Sequence, residues 1–114
     1  MSNHASDYMA ENMSNMLEKL QQLQEQMARA QEELGAQTVT MESGGGVIKV
    51  TANGKLQIMK VEIEKEVIDP NEKEMLEDLV VAAVNRALDR ARELADTTMS
   101  DAAKSLLPPG FPLG

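Results

Sequence analysis

Between Met9 and Leu34 the apolar residues step alternately by four and three: Met9, Met13, Met16, Leu20, Leu23, Met27, Ala30 and Leu34. This is a heptad seam along one side of a helix. No Gly or Pro interrupts it, and Gly35 follows the last seam residue as a C-terminal stop, so the pattern predicts a helix over 9–35. A lone helix of this length is marginal in water, and its narrow seam asks for a partner, either another helix of the same chain or a second protomer. Glu11, Glu18, Glu25 and Glu32 recur every seven residues as an acidic row opposite the seam. The flanks carry Gln24, Gln26 and Gln31, so few interhelical ion pairs select that partner.

The period then changes from helical to alternating. Gln37–Glu42 is β-branched and alternating, Ser43-Gly44-Gly45-Gly46 breaks it, and Val47–Ala52 resumes it. Asn53-Gly54 is a type I′ hairpin signal, and a third strand follows over Lys55–Glu64. The apolar phase of that strand shifts from even positions (56, 58) to odd ones (59, 61, 63), which predicts a bulge or bend near Met59. Three strands over 37–64 thus form an antiparallel meander with one face free for helices.

Asp69-Pro70-Asn71-Glu72 starts a second helix with an N-cap Asp, Pro at the first helical position and Glu at the third. Leu76, Leu79, Val80, Ala83, Val84, Ala87, Leu88, Ala91, Leu94 and Ala95 give it a broad apolar stripe over 70–99. Val81 and Ala82 extend the stripe around the helix, which predicts burial of the 79–84 turn on more than one side. The last segment, 101–114, ends in Pro108-Pro109-Gly110-Phe111-Pro112-Leu113-Gly114 and is expected to lack regular structure, as is the N-terminus over 1–8.

Composition fits this plan. A chain of 114 residues supports one core, here aliphatic because Tyr8 and Phe111 are the only aromatics, with nine Met as filler. It lacks the aromatic platforms on which single-stranded nucleic acids stack. Without Cys there is no disulfide, zinc-thiolate site or thiol nucleophile, and the single His4 lies in the N-terminal segment. Gly44-Gly45-Gly46 is not followed by Lys-Ser/Thr and does not open a helix, so it reads as a tight turn rather than a phosphate loop. No nucleophile, base and orienting group come together, and neither an enzyme, a cofactor, a metal nor a small-molecule substrate is expected. The first residues are polar rather than signal-like, and the longest apolar run, Leu79–Val84, is too short for a bilayer, so the expected location is cytoplasmic, without membrane attachment.

Charge complicates the choice of partner. A net charge of −8 disfavours phosphate binding. Between Glu42 and Glu62, however, there is no acid, while Lys49, Lys55 and Lys60 occur there, and Arg86, Arg90 and Arg92 stud the second helix among Asp89 and Glu93. These six residues are either an ordinary solvated surface or a local basic patch that binds DNA with strong salt dependence. No helix-turn-helix reading element accompanies them, so strict base readout is not expected.

The run Gly44-Gly45-Gly46-Val47-Ile48-Lys49-Val50-Thr51-Ala52-Asn53-Gly54-Lys55 resembles the central signature of the YbaB/EbfC family. The resemblance continues through Val61-Glu62-Ile63-Glu64, Val67-Ile68-Asp69-Pro70 and Met75–Ala87, and takes in the Met-rich first helix and the Leu-Pro-Pro-Gly-Phe-Pro tail, from about Met9 to the end. It implies an α+β fold with an α-β-β-β-α protomer, a three-stranded antiparallel sheet, and a homodimer that buries helices between two sheets while the N-terminal helices project. It also implies association with the bacterial nucleoid and duplex DNA binding with little strict sequence dependence. The dimer and core set expected from the seam and belt is Met13, Met16, Leu20, Leu23, Met27, Leu79, Val80, Val81, Val84 and Leu88. An alternative function is a protein-interaction adaptor that uses the Gln-rich helix and Pro-rich tail, with DNA contact incidental.

Overall fold

No glycine or proline lies between His4 and Leu34, and the chain there is one uninterrupted helix, α1 (His4–Ala36). The computed structural model describes residues 4–107 and 110, with side chains from Ala5 onward. Helix α1 begins five residues before the expected Met9, so 4–8 are helical; Asp7 in the first turn complements the positive end of the helix dipole. Its end is not made by Gly35, which stays inside the last turn. The terminal carbonyls are instead met by the rest of the fold. Glu33 O accepts from the Gln37 N–H (3.2 Å), Leu34 O from Gly54 N–H (2.8 Å), and Gly35 O from Asn53 Nδ2 (3.2 Å). Three of the four orphan acceptors at a helix C-terminus are thereby satisfied.

Strands β1 (Thr38–Ser43), β2 (Ile48–Asn53) and β3 (Ile58–Ile63) form an antiparallel sheet in the order β1-β2-β3. The β1–β2 link is the single 3₁₀ turn Gly44–Gly46, in which all three residues have positive φ. A Cβ on Gly44 would also stand 2.7 Å from Val47 Cγ2, so only glycine fits there. Between β2 and β3, Thr51 pairs with Lys60 and Ala52 with Ile58, which leaves Met59 as the bulged residue where the apolar phase changes.

The β2–β3 turn departs from the expected type I′ geometry, and β3 starts at Ile58 rather than Lys55. Its left-handed residue is Leu56 (φ +61), not Gly54. Gly54 is needed for close approach instead: a Cβ there would lie 2.6 Å from Leu34 Cδ2 and 2.9 Å from Leu34 O. Docking of α1 against this turn overrides the local preference of Asn-Gly for a two-residue hairpin.

Asp69 caps the entry to the second helix as expected, accepting from the Asn71 N–H at 2.9 Å ahead of Pro70. The first turn, Pro70–Glu72, is 3₁₀, and α2 proper spans Lys73–Lys104. The helix thus runs five residues past the expected end at 99, into the segment read as tail; Ala102 and Ala103 are half-buried there. The remaining tail positions 108–109 and 111–114, and residues 1–3, lie outside the described residues.

The core lies between α2 and one face of the sheet. Ile48, Val50 and Ala52 of β2 are fully buried together with Ala83, Ala87 and Ala91 of α2, ringed by Val39, Met41, Val47, Val67, Leu76, Leu79, Val80 and Val84. Alanines at i, i+4 and i+8 let the helix backbone settle close onto the β-branched residues of the strand, and each buried Ile or Val contributes about 1.5–3 kcal/mol. Two polar ties fix the end of β1 to α2: Ser43 Oγ donates to Leu79 O (2.6 Å) and Arg86 Nη1 to Glu42 O (2.7 Å). Among the described residues of α1 from Ala5 onward, only Met27, Ala30, Leu34 and Gly35 are withdrawn from solvent, and every one up to Gln26 is exposed. The molecule is accordingly elongated, 90 × 23 × 17 Å, with α1 projecting as an arm. No helix among the described residues is long and apolar enough to cross a membrane.

Candidate nucleic-acid interface

The six basic residues fall in three places rather than in one patch. Lys49 and Lys60 stand on the solvent face of the sheet. Antiparallel register sets Lys49 directly between Glu42 of β1 and Glu62 of β3, and Lys60 Nζ pairs with Glu62 at 3.0 Å. Thr40 and Thr51 share a hydroxyl hydrogen bond (2.8 Å) on the same face. The acid-free stretch of sequence therefore folds into a face whose two lysines are offset by the two glutamates bounding it. Lys55 sits on the β2–β3 turn with its stem over Gly35, its Cε 3.3 Å from where a Gly35 Cβ would be. That places a cation near the negative end of the α1 dipole.

On α2, Arg86 is held by the Glu42 carbonyl, Arg90 by Glu93 (2.7 Å) and Arg92 by Asp89 (3.0 Å). Arg90 and Arg92 are about 200° apart around the helix, so they point to nearly opposite sides. The two ion pairs are solvent-exposed and individually weak, so a phosphate can displace either carboxylate at small cost.

Charge is distributed unevenly along the fold. Residues 64–78 carry seven acids (Glu64, Glu66, Asp69, Glu72, Glu74, Glu77 and Asp78) against Lys65 and Lys73. The α1 arm carries six acids against Lys19 and Arg29. The sheet region 38–63 has three lysines against two glutamates, and residues 79–104 are balanced at four of each sign. A polyanion therefore meets least repulsion at the sheet and the middle of α2, where the six basic residues lie.

The residues expected in the dimer and core divide. Leu79, Val80 and Val84 pack against the core and Leu88 is half-buried, whereas Val81 is 58% exposed, so within one chain the 79–84 belt is covered on one side only. Of the seam, Met27 is half-buried, while Met13, Met16, Leu20 and Leu23 stand in solvent at 38–64% exposure.

One apolar surface of the fold carries no mark in the sequence. Ile58, Val61 and Ile63 of β3 share the inner face with Ala52, Val50 and Ile48 through the strand register, yet remain exposed because α2 packs on β1 and β2. Val81, Val84 and Leu88 lie on the flank of α2 opposite Arg86, the residue that grips β1. The alternation in β3 looks like that of a buried strand, and the sequence does not show that the helix stops short of it. Among the described residues no group of His, Cys, Asp and Glu has an arrangement suited to a metal ion.

Comparison with known proteins fits this architecture. The model of the YbaB/EbfC DNA-binding family matches residues 9–106. A nucleoid-associated protein of Bacillus thuringiensis is 52% identical over 99 residues, covering 87% of this chain and 91% of the relative. One from Pelotomaculum thermopropionicum is 44% identical over 103 residues, covering 90% and 98%. The crystal structure of an uncharacterized protein from Helicobacter pylori superposes with a TM-score of 0.69 at 19% identity, over 79% of this chain and 95% of that one, so the two share the fold. With the family's pattern running through both helices and all three strands, this chain belongs to the YbaB/EbfC DNA-binding family.

Proposed function

We propose that this protein is a nucleoid-associated protein of the bacterial cytoplasm that binds duplex DNA as a homodimer with little strict sequence specificity, and through that binding influences nucleoid organisation and gene expression. The observation that carries this reading is family membership over residues 9–106, together with relatives named nucleoid-associated proteins that match over nearly their whole length. The unpaired inner face of β3 and the flank of α2 beside it support a second copy as partner, because an apolar surface of this kind on a small chain favours association. In this reading Lys49 and Lys60 on the solvent face of the sheet, with Lys55 at its end, are the phosphate contacts; Arg90 and Arg92 lie across the sheet on α2 and belong to a separate surface, and Arg86 serves mainly to hold α2 on β1. Contacts to phosphate position a protein without reading bases, which accords with low specificity.

The test is retardation of duplex DNAs of unrelated sequence across a salt series, with sedimentation of the same sample. Comparable binding of all duplexes, weakening steeply between about 50 and 200 mM salt, is the expected outcome. An intact dimer that retards no duplex at the lowest salt overturns the reading. Charge reversal of Lys49, Lys55 and Lys60 together should weaken every duplex alike and flatten the salt slope by about one unit per lost contact.

A further inference from the structure

Asn53 and Gly54 form the dipeptide in which an asparagine side chain is most easily lost, because glycine has no Cβ to crowd ring closure. In that reaction the Gly54 amide nitrogen attacks Asn53 Cγ. The side-chain amide leaves as ammonia with the Gly54 proton, and water opens the cyclic imide to aspartate or isoaspartate. The fold places this pair where the last turn of α1 meets the sheet, beside the packing of α1 on α2.

Asn53 is 1% exposed, and both reacting groups are occupied. The Gly54 N–H donates to Leu34 O (2.8 Å) and Gln37 O (3.1 Å). Asn53 Oδ1 accepts from the Lys55 N–H (3.0 Å) and Gln57 N–H (3.1 Å), while Nδ2 donates to Gly35 O (3.2 Å) and Gln57 Oε1 (2.7 Å). Leu34 covers Gly54 so closely that a Cβ would not fit. The nucleophile cannot reach Cγ until these bonds open. Once formed, the product would set a carboxylate oxygen, which cannot donate, against the Gly35 carbonyl at the negative end of the α1 dipole, while the Gln57 amide can turn to donate.

We propose that Asn53 is a modification site that latches the α1 arm: the closed junction holds off its deamidation, and deamidation, once it occurs, releases the arm from the sheet. The full-length chain is aged at pH 8.5 and 37 °C, folded and in denaturant, and the 53–54 peptide is followed by mass. Deamidation at least tenfold slower in the folded chain is expected, and a smaller ratio overturns the shielding. Asn53→Asp is then compared with the unaltered chain by amide hydrogen exchange. Gln37 and Gly54 should exchange at least tenfold faster while β1–β2 and α2 amides keep their protection. Unchanged exchange at both, with Lys55 drawn onto the new carboxylate and the junction still closed, overturns the release. Should Asn53→Asp fail to fold, Leu34→Ala still tests the shielding, since it trims the side chain over the junction and leaves the dipeptide intact. Its folded-state deamidation should rise at least threefold, and a rate equal to that of the unaltered chain overturns the proposal.

Discussion

Helices α1 and α2 are nearly equal in length, 33 and 32 residues, and each carries an apolar stripe along one side, yet their stripes meet opposite fates. The α2 stripe is built on Ala83, Ala87 and Ala91, among the smallest apolar side chains, and all three are fully buried. The α1 seam is built on Met and Leu, and from Met9 to Leu23 it remains in solvent. Burial thus follows available complementary surface rather than the hydrophobicity of the stripe. A row of alanines can lie flat on a strand of β-branched residues, where dense packing leaves no room for longer side chains. A Met/Leu seam needs holes between facing residues, and only another helix supplies those. The two helices also differ in how they are held. Helix α2 is fixed along its middle by the core and by Ser43 and Arg86, whereas α1 is fixed by its last turns alone.

That contrast can be tested at both ends. Ala87→Asp puts an unpartnered charge into the α2–sheet contact and should cost at least about 4 kcal/mol, enough to abolish a cooperative thermal transition followed by circular dichroism. Leu20→Glu on the projecting seam should leave the helical spectrum intact and weaken self-association by ~100-fold, read by sedimentation velocity across protein concentration; an unchanged distribution excludes the seam from the dimer contact. Ser43→Ala removes the buried hydroxyl bond to the Leu79 carbonyl and should lower stability by about 1 kcal/mol in a urea titration. Arg92→Ala breaks only an exposed pair with Asp89, and its urea midpoint should correspond to a change under about 0.5 kcal/mol.

Much of the architecture is legible in the residues. The four-three spacing gives α1, Asp69-Pro70 gives the entry to α2, and the phase change in β3 locates the bulge at Met59. Each of these is a local rule that neighbouring residues satisfy among themselves. The less legible features are those where distant segments meet. Gly35 looks like a helix stop, yet the carbonyls there are capped by Asn53 and Gly54, eighteen or more positions away. Asn53-Gly54 looks like a two-residue turn, yet it gives up that geometry to receive Leu34. Lys49 lies in an acid-free stretch of sequence, yet sits between Glu42 and Glu62 because antiparallel pairing brings the two ends of that stretch beside its middle.

By itself, the sequence determined the order and type of the elements, the aliphatic nature of the core and the family signature. These follow from periodicity, composition and turn chemistry, which act over a few residues. Only the tertiary structure decided which apolar faces are covered, where α1 ends and which charges stand together. Each of those depends on surfaces contributed by segments far apart in the chain, so α2 could bury its alanines on β1 and β2 while leaving the equally alternating β3 open beside it.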